Sequence, residues 1–315
     1  MNKNEKIRLI AVAGPTASGK TDLAIKLAKK YDGEIISADS MQIYKGMDIA
    51  TAKPSEEEKQ GIPHHLMDFV DSGDVFSVAE FVRMAHDVAK NIHLRGKLPI
   101  LCGGTGLYIR SFLENVNFSE QSPDPKLRDE LEDRYQKEGG EALIDYIRTF
   151  DPEISEKLLP SNRKRIIRAI ELYRISGITM SEQIKLSHSQ PSLYDFTAIL
   201  LTFRDRSKLY ERIEKRVDKM LDMGLIDEAK QFYSMERSAT ATAAIGYKEL
   251  KPYLDGQCTL DEAVQRLKIE TRHYAKRQLT WFRKDEYMHR IEVDECKDIF
   301  EKTVQIIEND ENKIK

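Results

Sequence analysis

The chain has 315 residues, about twice the size of a typical domain, so its length predicts two domains or one domain with a large insertion. Its 40% hydrophobic and 33% charged residues exclude a disordered chain, and its formal net charge of -3 argues against a surface coated in positive charge for non-specific nucleic-acid binding. The polar start, the three scattered cysteines and the lack of a long apolar run predict a reduced, cytoplasmic protein without a membrane partner, and we expect a monomer.

The first third of the chain predicts alternating strands and helices. An apolar run over 8–14 predicts a strand, and the amphipathic segment 21–31 predicts a helix. Further predicted elements are strands at 34–39, 65–70 and 98–102 and a helix over 79–95. Strands that alternate with helices predict an α/β fold with a parallel sheet covered on both faces.

A helical block interrupts this pattern. Residues 119–190 carry helix signals, which predict helices at 125–136, 141–149, 152–158 and 162–176. A β-rich run over 196–203 then resumes the sheet, and only helices are predicted from Ser207 to the end. We therefore predict an α/β core in its first part over 1–115, an inserted helical domain over 116–192, and completion of the core with C-terminal helices over 193–315.

Two segments concentrate the positive charge. Residues 157–174 hold six basic residues and one acid, and residues 266–290 hold eight basic residues and three acids, so each has a net charge of +5. Residues 292–315 hold eight acids and four lysines. Two basic segments on an otherwise acidic chain predict a partner that binds the protein at two places. Two basic helix faces exposed to solvent would give the same charge pattern.

Residues 14–21 match the P-loop pattern G-x-x-x-x-G-K-[ST] between a predicted strand and a predicted helix, as this motif requires. The glycines allow backbone N–H groups to surround phosphate oxygens, and the helix adds the positive end of its dipole. Lys20 is expected to reach the phosphates, and the Thr21 hydroxyl to bind Mg²⁺. The predicted phosphate-binding residues are Gly14, Pro15, Thr16, Ala17, Ser18, Gly19, Lys20 and Thr21.

Asp39 follows the second predicted strand, and three roles fit it. It is placed to hold Mg²⁺ together with Thr21, as an acid after an apolar strand does in P-loop enzymes. It is equally placed to act as a base on an acceptor above the P-loop. A carboxylate that caps a turn or a helix is the structural alternative.

Six motifs, ordered over residues 14–283, resemble those of the tRNA dimethylallyltransferases. They are the P-loop, 37–54 (SADSMQIYKGMDIATAKP), 62–68 (IPHHLMD), 103–108 (GGTGLY), 243–249 (AAIGYKE) and 275–283 (AKRQLTWFR). Bacterial members commonly have Arg where this chain has Met41. The chain lacks the Cys/His finger of some eukaryotic relatives, so the resemblance is to the bacterial form.

The resemblance implies a chemistry. The family transfers a dimethylallyl group from dimethylallyl diphosphate to N6 of adenosine 37, beside the anticodon of certain tRNAs, and releases diphosphate. The P-loop and Mg²⁺ then hold the donor, and ATP is not required. The resemblance assigns catalytic roles to Lys20, Asp39, Thr105 and Arg216, with Asp39 as the base that takes a proton from N6. The target adenine must leave its stack to reach the P-loop.

The resemblance also implies contacts with the tRNA anticodon stem-loop. The matching positions are Asp39, Ser40, Met41, Gln42, Thr105, Arg128, Arg163, Lys164, Arg165, Ile166, Ile167 and Arg277. Alternatives remain open at several of them: Thr105 as a helix cap, Arg277 in a salt bridge, and Arg216 paired with Arg212 on a solvated helix face. Trp281 is expected to have a structural role, and Tyr274, Leu279 and Phe282 fit the core face of their helix.

Three other functions fit parts of the pattern. A P-loop kinase of a small metabolite would use Asp39 to bind its acceptor and residues 163–168 as a lid over ATP. A non-catalytic RNA-binding protein with a degenerate P-loop fits less well, because Lys20 and Thr21 are intact. An adenylate prenyltransferase would share the fold and donor but has less need of two basic segments.

Overall fold

One six-stranded parallel sheet organises the computed structural model, which describes residues 6–118, 124–235 and 238–314. The strands are β1 (Ile7–Ala13), β2 (Gly33–Ala38), β3 (His64–His65), β4 (Leu98–Gly103), β5 (Tyr194–Thr202) and β6 (Met288–Glu292). Their order across the sheet is β3-β2-β4-β1-β5-β6, and every pairing is parallel. The predicted α/β class is confirmed.

Helices joined by turns and loops accompany these strands in the described chain. They are α1 (Lys20–Tyr31), α2 (Glu56–Lys59), α3 (Val78–Leu94), α4 (Gly106–Leu113), α5 (Pro125–Arg148), α6 (Pro152–Ser155), α7 (Arg163–Ser176), α8 (Met180–Ser187), α9 (Arg206–Asp222), α10 (Leu225–Tyr233), α11 (Ala239–Thr242), α12 (Tyr247–Leu254), α13 (Leu260–Phe282) and α14 (Ile299–Ile314). Among the described residues, none of these helices has the length and apolar character that crossing a bilayer requires.

Contacts group the chain into two compact units, one of residues 1–113 and 192–315 and one of residues 114–191. The larger unit contains the sheet, whose central strands are buried on both faces because helices cover them. Val12, Ile100 and Ile199 of three adjacent strands pack in one core cluster with Leu27 of α1 and Ile307 of α14. Such double coverage explains the nearly continuous apolar strands of the sequence.

Two strand predictions were wrong. The strand predicted over 65–70 ends at His65, because Leu66 and Asp68 have positive φ angles of 60° and 55°, which no extended strand tolerates. The region predicted to be only helical contains β6, which extends the sheet beside β5. Its buried residues, Met288 and Ile291, are three apart and do not alternate, so period-two patterning gave no signal.

The smaller unit is helical. The predicted helices at 125–136 and 141–149 form one element, α5, with a kink at Gly139, whose φ is 82°. Leu131, Ile147 and Ile170 lie in the buried core of the smaller unit. The buried Asp151 carboxylate accepts hydrogen bonds from the Ser181 backbone and hydroxyl, at 2.9 and 2.6 Å, and so ties α8 to the start of α6. Residues 119–123, at the start of the predicted helical block, lie outside the described residues.

A half-buried histidine makes the stability of the sheet-containing unit depend on pH. His86 on α3 stacks on Phe112, and its Nδ1 lies 2.7 Å from the Tyr194 hydroxyl. Burial lowers the pKa of His86 to about 4, whereas an exposed histidine titrates near 6.5. Since the unfolded chain binds the proton more tightly, this stabilisation is present above pH 6.5 and is lost as the pH falls towards 4.

We therefore expect the free energy of unfolding to fall by about 1–2 kcal/mol between pH 7 and pH 5 through His86 alone. His86→Gln should remove this part of the pH dependence, and urea unfolding of both proteins at the two pH values measures it. His93→Gln, a change at the C-terminal end of the same helix, serves as the control. An identical pH dependence in wild type and His86→Gln would contradict the assignment.

Candidate active site

The P-loop lies between the end of β1 and the start of α1 in an unusual backbone conformation. Ala17 has a φ of 62° and Gly19 a φ of 91°, both in the left-handed region. The Nε of Arg212 on α9 donates a 2.8 Å hydrogen bond to the Ala17 carbonyl, which stabilises this turn. The Nζ of Lys20 lies 3.3 Å from the Pro15 carbonyl, so the lysine folds back over its own loop. The lysine and the N-terminus of α1 therefore both lie at the loop that was predicted to bind phosphate.

A cavity of about 300 Å³ opens where β1, β2 and β4 end. Parallel strands end at the same edge of a sheet, which is why residues far apart in sequence meet there. The predicted site residues that line this cavity are Thr16, Lys20, Thr21, Asp39, Ser40, Met41, Gln42, Arg216 and Arg277. Apolar side chains form another part of the wall: Met67, Val217, Met220, Ile245 and Leu267.

The cavity contains two desolvated cations. Burial lowers the pKa of Lys20 and also that of Arg216, and the nearby Asp39 carboxylate partly opposes the shift in both. One carboxylate facing two buried cations leaves an excess of positive charge. An entering anion with more than one negative charge would relieve this electrostatic cost.

The position of Asp39 is compatible with more than one of its three predicted roles. Its Oδ1 accepts hydrogen bonds from the backbone N–H groups of Met41, at 2.9 Å, and Gln42, at 3.4 Å, so the carboxylate closes a turn. The same side chain lines the cavity near Lys20 and Arg216. The turn fixes the carboxylate in place and leaves its second oxygen outside these two hydrogen bonds.

Thr105 lies behind the cavity wall. Its Oγ1 accepts a 3.0 Å hydrogen bond from the Ser40 backbone N–H, and it lies 3.3 Å from the Ser40 hydroxyl. The Tyr274 side chain also lies close to Thr105. Thr105 directly precedes α4, but its hydroxyl is engaged with Ser40, which lines the cavity, and not with the N-terminus of the helix.

Gln42 has its amide engaged within the chain. Its Oε1 accepts from the Ser37 hydroxyl at 3.1 Å, and its Nε2 donates to the carbonyls of Thr51 and Ala52 at 3.2 and 3.3 Å. Reading an adenine edge with this amide would require breaking these bonds. In this structure Gln42 holds the loop 47–53 against the cavity.

The two arginines predicted to share a face of α9 have different surroundings. Arg216 lines the main cavity, whereas Arg212 binds the outside of the P-loop. A second cavity of about 430 Å³ is lined by Ala17, Ser18 and Gly19 and shares Lys20, Thr21 and Arg216 with the first. The P-loop therefore borders two neighbouring cavities that have these lining residues in common.

Sequence reasoning missed Gln278, which joins two glycine-rich turns. Its Oε1 accepts a 2.9 Å hydrogen bond from the Thr16 backbone N–H of the P-loop, and its Nε2 donates at 3.0 Å to the Gly104 carbonyl. A Cβ at position 104 would lie 2.3 Å from the Gln278 Nε2, so any larger residue there would displace this amide from its hydrogen bonds. Gln278 is buried, so both turns depend on it for their hydrogen bonds.

A sequence signal for this helix face existed. Leu267, Thr271, Tyr274 and Gln278 recur at intervals of four, three and four residues, which places them on one face of α13, and all four line the cavity. Three polar residues interrupting such a face mark it as facing a site. Tyr274, which fitted the core face of the helix, in fact lies at the cavity, while Phe282 is buried as expected.

Arg277 and Trp281 lie on the same helix as Gln278. The Arg277 guanidinium lies 5.9 Å from the centre of the Tyr274 ring at the edge of the cavity. Trp281 covers Gly106, where a Cβ would lie 2.1 Å from its Cδ1, and Arg110 lies 5.1 Å from its ring centre. Trp281 therefore packs over Gly106, while 41% of its surface remains exposed.

The predicted RNA-binding segment of α7 is divided by burial. Ile166 and Ile167 lie in the core of the helical unit, so their side chains cannot contact RNA, and their assignment to tRNA binding is corrected. Arg163 pairs with Glu132. Lys164 and Arg165 are exposed. Helical periodicity causes this division, because α7 must pack against α5.

A family model described as "IPP transferase" matches residues 42–285, more than half of the chain. The chain belongs to this IPP transferase family. Proteins named tRNA dimethylallyltransferase from Bacillus velezensis and Bacillus subtilis are 50% and 47% identical to it over 282 and 281 residues, and each alignment covers 89% of both chains.

Solved structures agree with the membership in the IPP transferase family. A full-length tRNA isopentenylpyrophosphate transferase from Bacillus halodurans is 42% identical, covers 98% of this chain and 99% of its own, and has a TM-score of 0.71. A eukaryotic dimethylallyltransferase solved acting on tRNA is 29% identical, covers 98% of this chain and 80% of its own, and has a TM-score of 0.82.

Within this IPP transferase fold, we expect Gln278→Ala to destabilise the site. The change leaves the Thr16 N–H and the Gly104 carbonyl without their partner, which costs about 1–3 kcal/mol for each buried group left unpaired. Thermal or urea unfolding should detect the loss. Thr280→Ala, at an exposed position of the same helix, is the matched control, and equal stability of the two variants would contradict the role of Gln278.

Proposed function

We propose that this protein transfers a dimethylallyl group from dimethylallyl diphosphate to N6 of the adenosine at position 37 of tRNA. The observation that carries the proposal is the composition of one cavity. It combines two desolvated cations, a fixed carboxylate and an apolar wall, and these three features match the diphosphate, the nucleophile and the five-carbon chain of the reactants.

The apolar wall favours a prenyl donor over a nucleoside triphosphate. Val217, Met220 and Leu267 lie in the same cavity as Lys20, so an apolar chain attached to a bound diphosphate would be buried against them. A metabolite kinase would instead need polar contacts for its acceptor there. Burial of the short chain also keeps water from the carbon that reacts.

The cations support departure of the diphosphate. When the carbon–oxygen bond breaks, negative charge grows on the leaving oxygen, and Lys20, Arg216 and the P-loop N–H groups stabilise it. The Thr21 hydroxyl and the Asp39 carboxylate line this cavity and are hard oxygen donors of the kind Mg²⁺ prefers. Bound Mg²⁺ would supply additional charge stabilisation to the diphosphate.

Asp39 is the group placed to assist the nucleophile. The exocyclic N6 of adenine is weakly nucleophilic and must lose a proton as the new carbon–nitrogen bond forms. The Oδ1 of Asp39 is held by two backbone N–H groups, and its other oxygen is available to orient N6 and accept that proton. Thr105 and Tyr274 support the Ser40 side of this turn.

The acceptor is proposed to be tRNA rather than a free nucleotide. The helical unit presents Lys164 and Arg165 at the start of α7, where cations are unfavourable beside the positive end of the helix dipole. A polyanion would offset that cost. The names of the relatives in the family agree with a tRNA acceptor.

Transfer of labelled dimethylallyl to unmodified tRNA and to AMP, each with and without ATP, tests the proposal. We expect label in tRNA at adenosine 37, no dependence on ATP, and little label in AMP. Labelling of AMP alone would support an adenylate prenyltransferase. A requirement for ATP, with phosphate transferred instead of the prenyl group, would support a kinase, and either result would refute the proposal.

A further inference from the structure

A fully buried carboxylate holds two arginines together in the helical unit. Oε2 of Glu171, on α7, accepts hydrogen bonds from Nη2 of Arg128 on α5 and from Nη1 of Arg168 on its own helix, both at 2.8 Å. The Glu171 side chain has no exposed surface. A charge buried to this extent needs partners, and two of them meet at one oxygen.

The second arginine exceeds what charge neutralisation requires. One guanidinium would balance Glu171, yet two are present, and the two donating nitrogens can be no farther apart than twice 2.8 Å. Like charges at this spacing repel each other. The cluster keeps a net positive charge, and the repulsion would be relieved by an anion bound between the two guanidiniums.

Both guanidiniums also remain accessible. The side chain of Arg128 is 44% exposed and that of Arg168 is 35% exposed. Each guanidinium has five N–H donors in a fixed plane, and only one from each is used on Glu171. Acids that could compete are engaged elsewhere, since Glu130 pairs with Arg174 and Glu132 with Arg163.

We infer that Arg128 and Arg168 form a phosphate clamp that grips one backbone phosphate of the tRNA, with Glu171 as its positioning residue. Planar guanidiniums bind phosphate oxygens through paired hydrogen bonds, so a preset pair selects a phosphodiester over a diffuse negative charge. Lys164, one helical turn before Arg168 on the same face of α7, extends the basic surface. Arg128 was expected from the resemblance, whereas Arg168 and Glu171 are new. The inference rests on the proposed tRNA acceptor.

Removal of Arg168 tests the clamp. Arg168→Ala should weaken tRNA binding roughly 5- to 10-fold and lower the slope of log affinity against log salt by about 1, with dimethylallyl diphosphate affinity unchanged. Arg174→Ala is the matched control, because Arg174 lies on the same helix, is 33% exposed and pairs with an acid. Equal tRNA affinity and salt slope in Arg168→Ala and wild type would overturn the inference.

The variant Glu171→Gln tests whether Glu171 positions the two arginines or only neutralises their charge. The change makes the protein more positive, so it should tighten tRNA binding if Glu171 only neutralises the arginines. If Glu171 positions them, binding should weaken about 3-fold or more despite the added positive charge. Tighter binding would overturn the positioning role. Thermal unfolding checks that the variant is folded. If it is not folded, the tRNA affinity and salt slope of Arg168→Ala alone decide whether the clamp exists.

Failure of the phosphate clamp can be distinguished from failure of the proposed function. Wild-type protein is assayed in parallel for transfer of labelled dimethylallyl to the same tRNA. Absence of transfer by wild type would refute the proposed function. Normal transfer by wild type, together with unchanged binding by Arg168→Ala, would refute only the clamp. A rise in the KM for tRNA with kcat unchanged at saturating tRNA supports it.

Discussion

Replacement of Asp39 by asparagine is expected to lower the rate of dimethylallyl transfer between about 10²- and 10⁴-fold, the usual contribution of a positioned general base. Asparagine keeps a side-chain oxygen that can accept the hydrogen bonds from the Met41 and Gln42 backbone N–H groups, so the turn is preserved. The variant loses the negative charge of the carboxylate and with it the ability to accept a proton from N6. Single-turnover transfer, measured with the enzyme in excess over the bound tRNA, reports the rate of the chemical step.

The tRNA affinity of Asp39→Asn distinguishes catalysis from structure. We expect it to stay near the wild-type value, because the acid is replaced by a side chain of the same shape. Asp39→Ala, which also removes the turn acceptor, should be less stable than Asp39→Asn but equally inactive. A variant Asp39→Asn with near-normal transfer would show that Asp39 only closes the turn.

Lys20→Met is expected to lower kcat by about 10²- to 10³-fold, which is the usual effect of removing one preorganised donor from a site of developing negative charge. Lys20 is half-buried, desolvation lowers its pKa, and it lines the same cavity as Arg216. Methionine keeps much of the length without the charge, so the apolar part of the donor should still bind. The donor KM and kcat measured separately show whether the charge acts mainly on the leaving group.

Lys26→Met provides the control for this variant. Lys26 lies on the same helix, α1, but is exposed to solvent, so its loss should change neither constant. An effect of Lys20→Met on the donor KM alone, with kcat retained, would contradict a role in stabilising the leaving diphosphate. It would indicate ground-state binding only.

Local patterns predicted most of the α/β core because they depend on neighbouring residues. The P-loop follows a strand and begins a helix, and the capping box of α3, in which the Ser77 and Glu80 side chains pair with each other's backbone, agrees with its predicted start. The kink of α5 at Gly139 was also visible as a gap between two predicted helices. In contrast, β6 depends on pairing with β5, about ninety residues earlier, and has no such local signal.

The sequence by itself determined the P-loop, the parallel core and, through ordered motifs, the family of this protein. The tertiary structure alone decided which motif residues point into the cavity. Gln278 reaches Thr16 across 262 positions of the chain, and Ile167 turns into the core of the helical unit although its motif suggested RNA contact. The reason is physical: side-chain direction follows from how helices pack against each other, and packing joins residues that no local pattern connects.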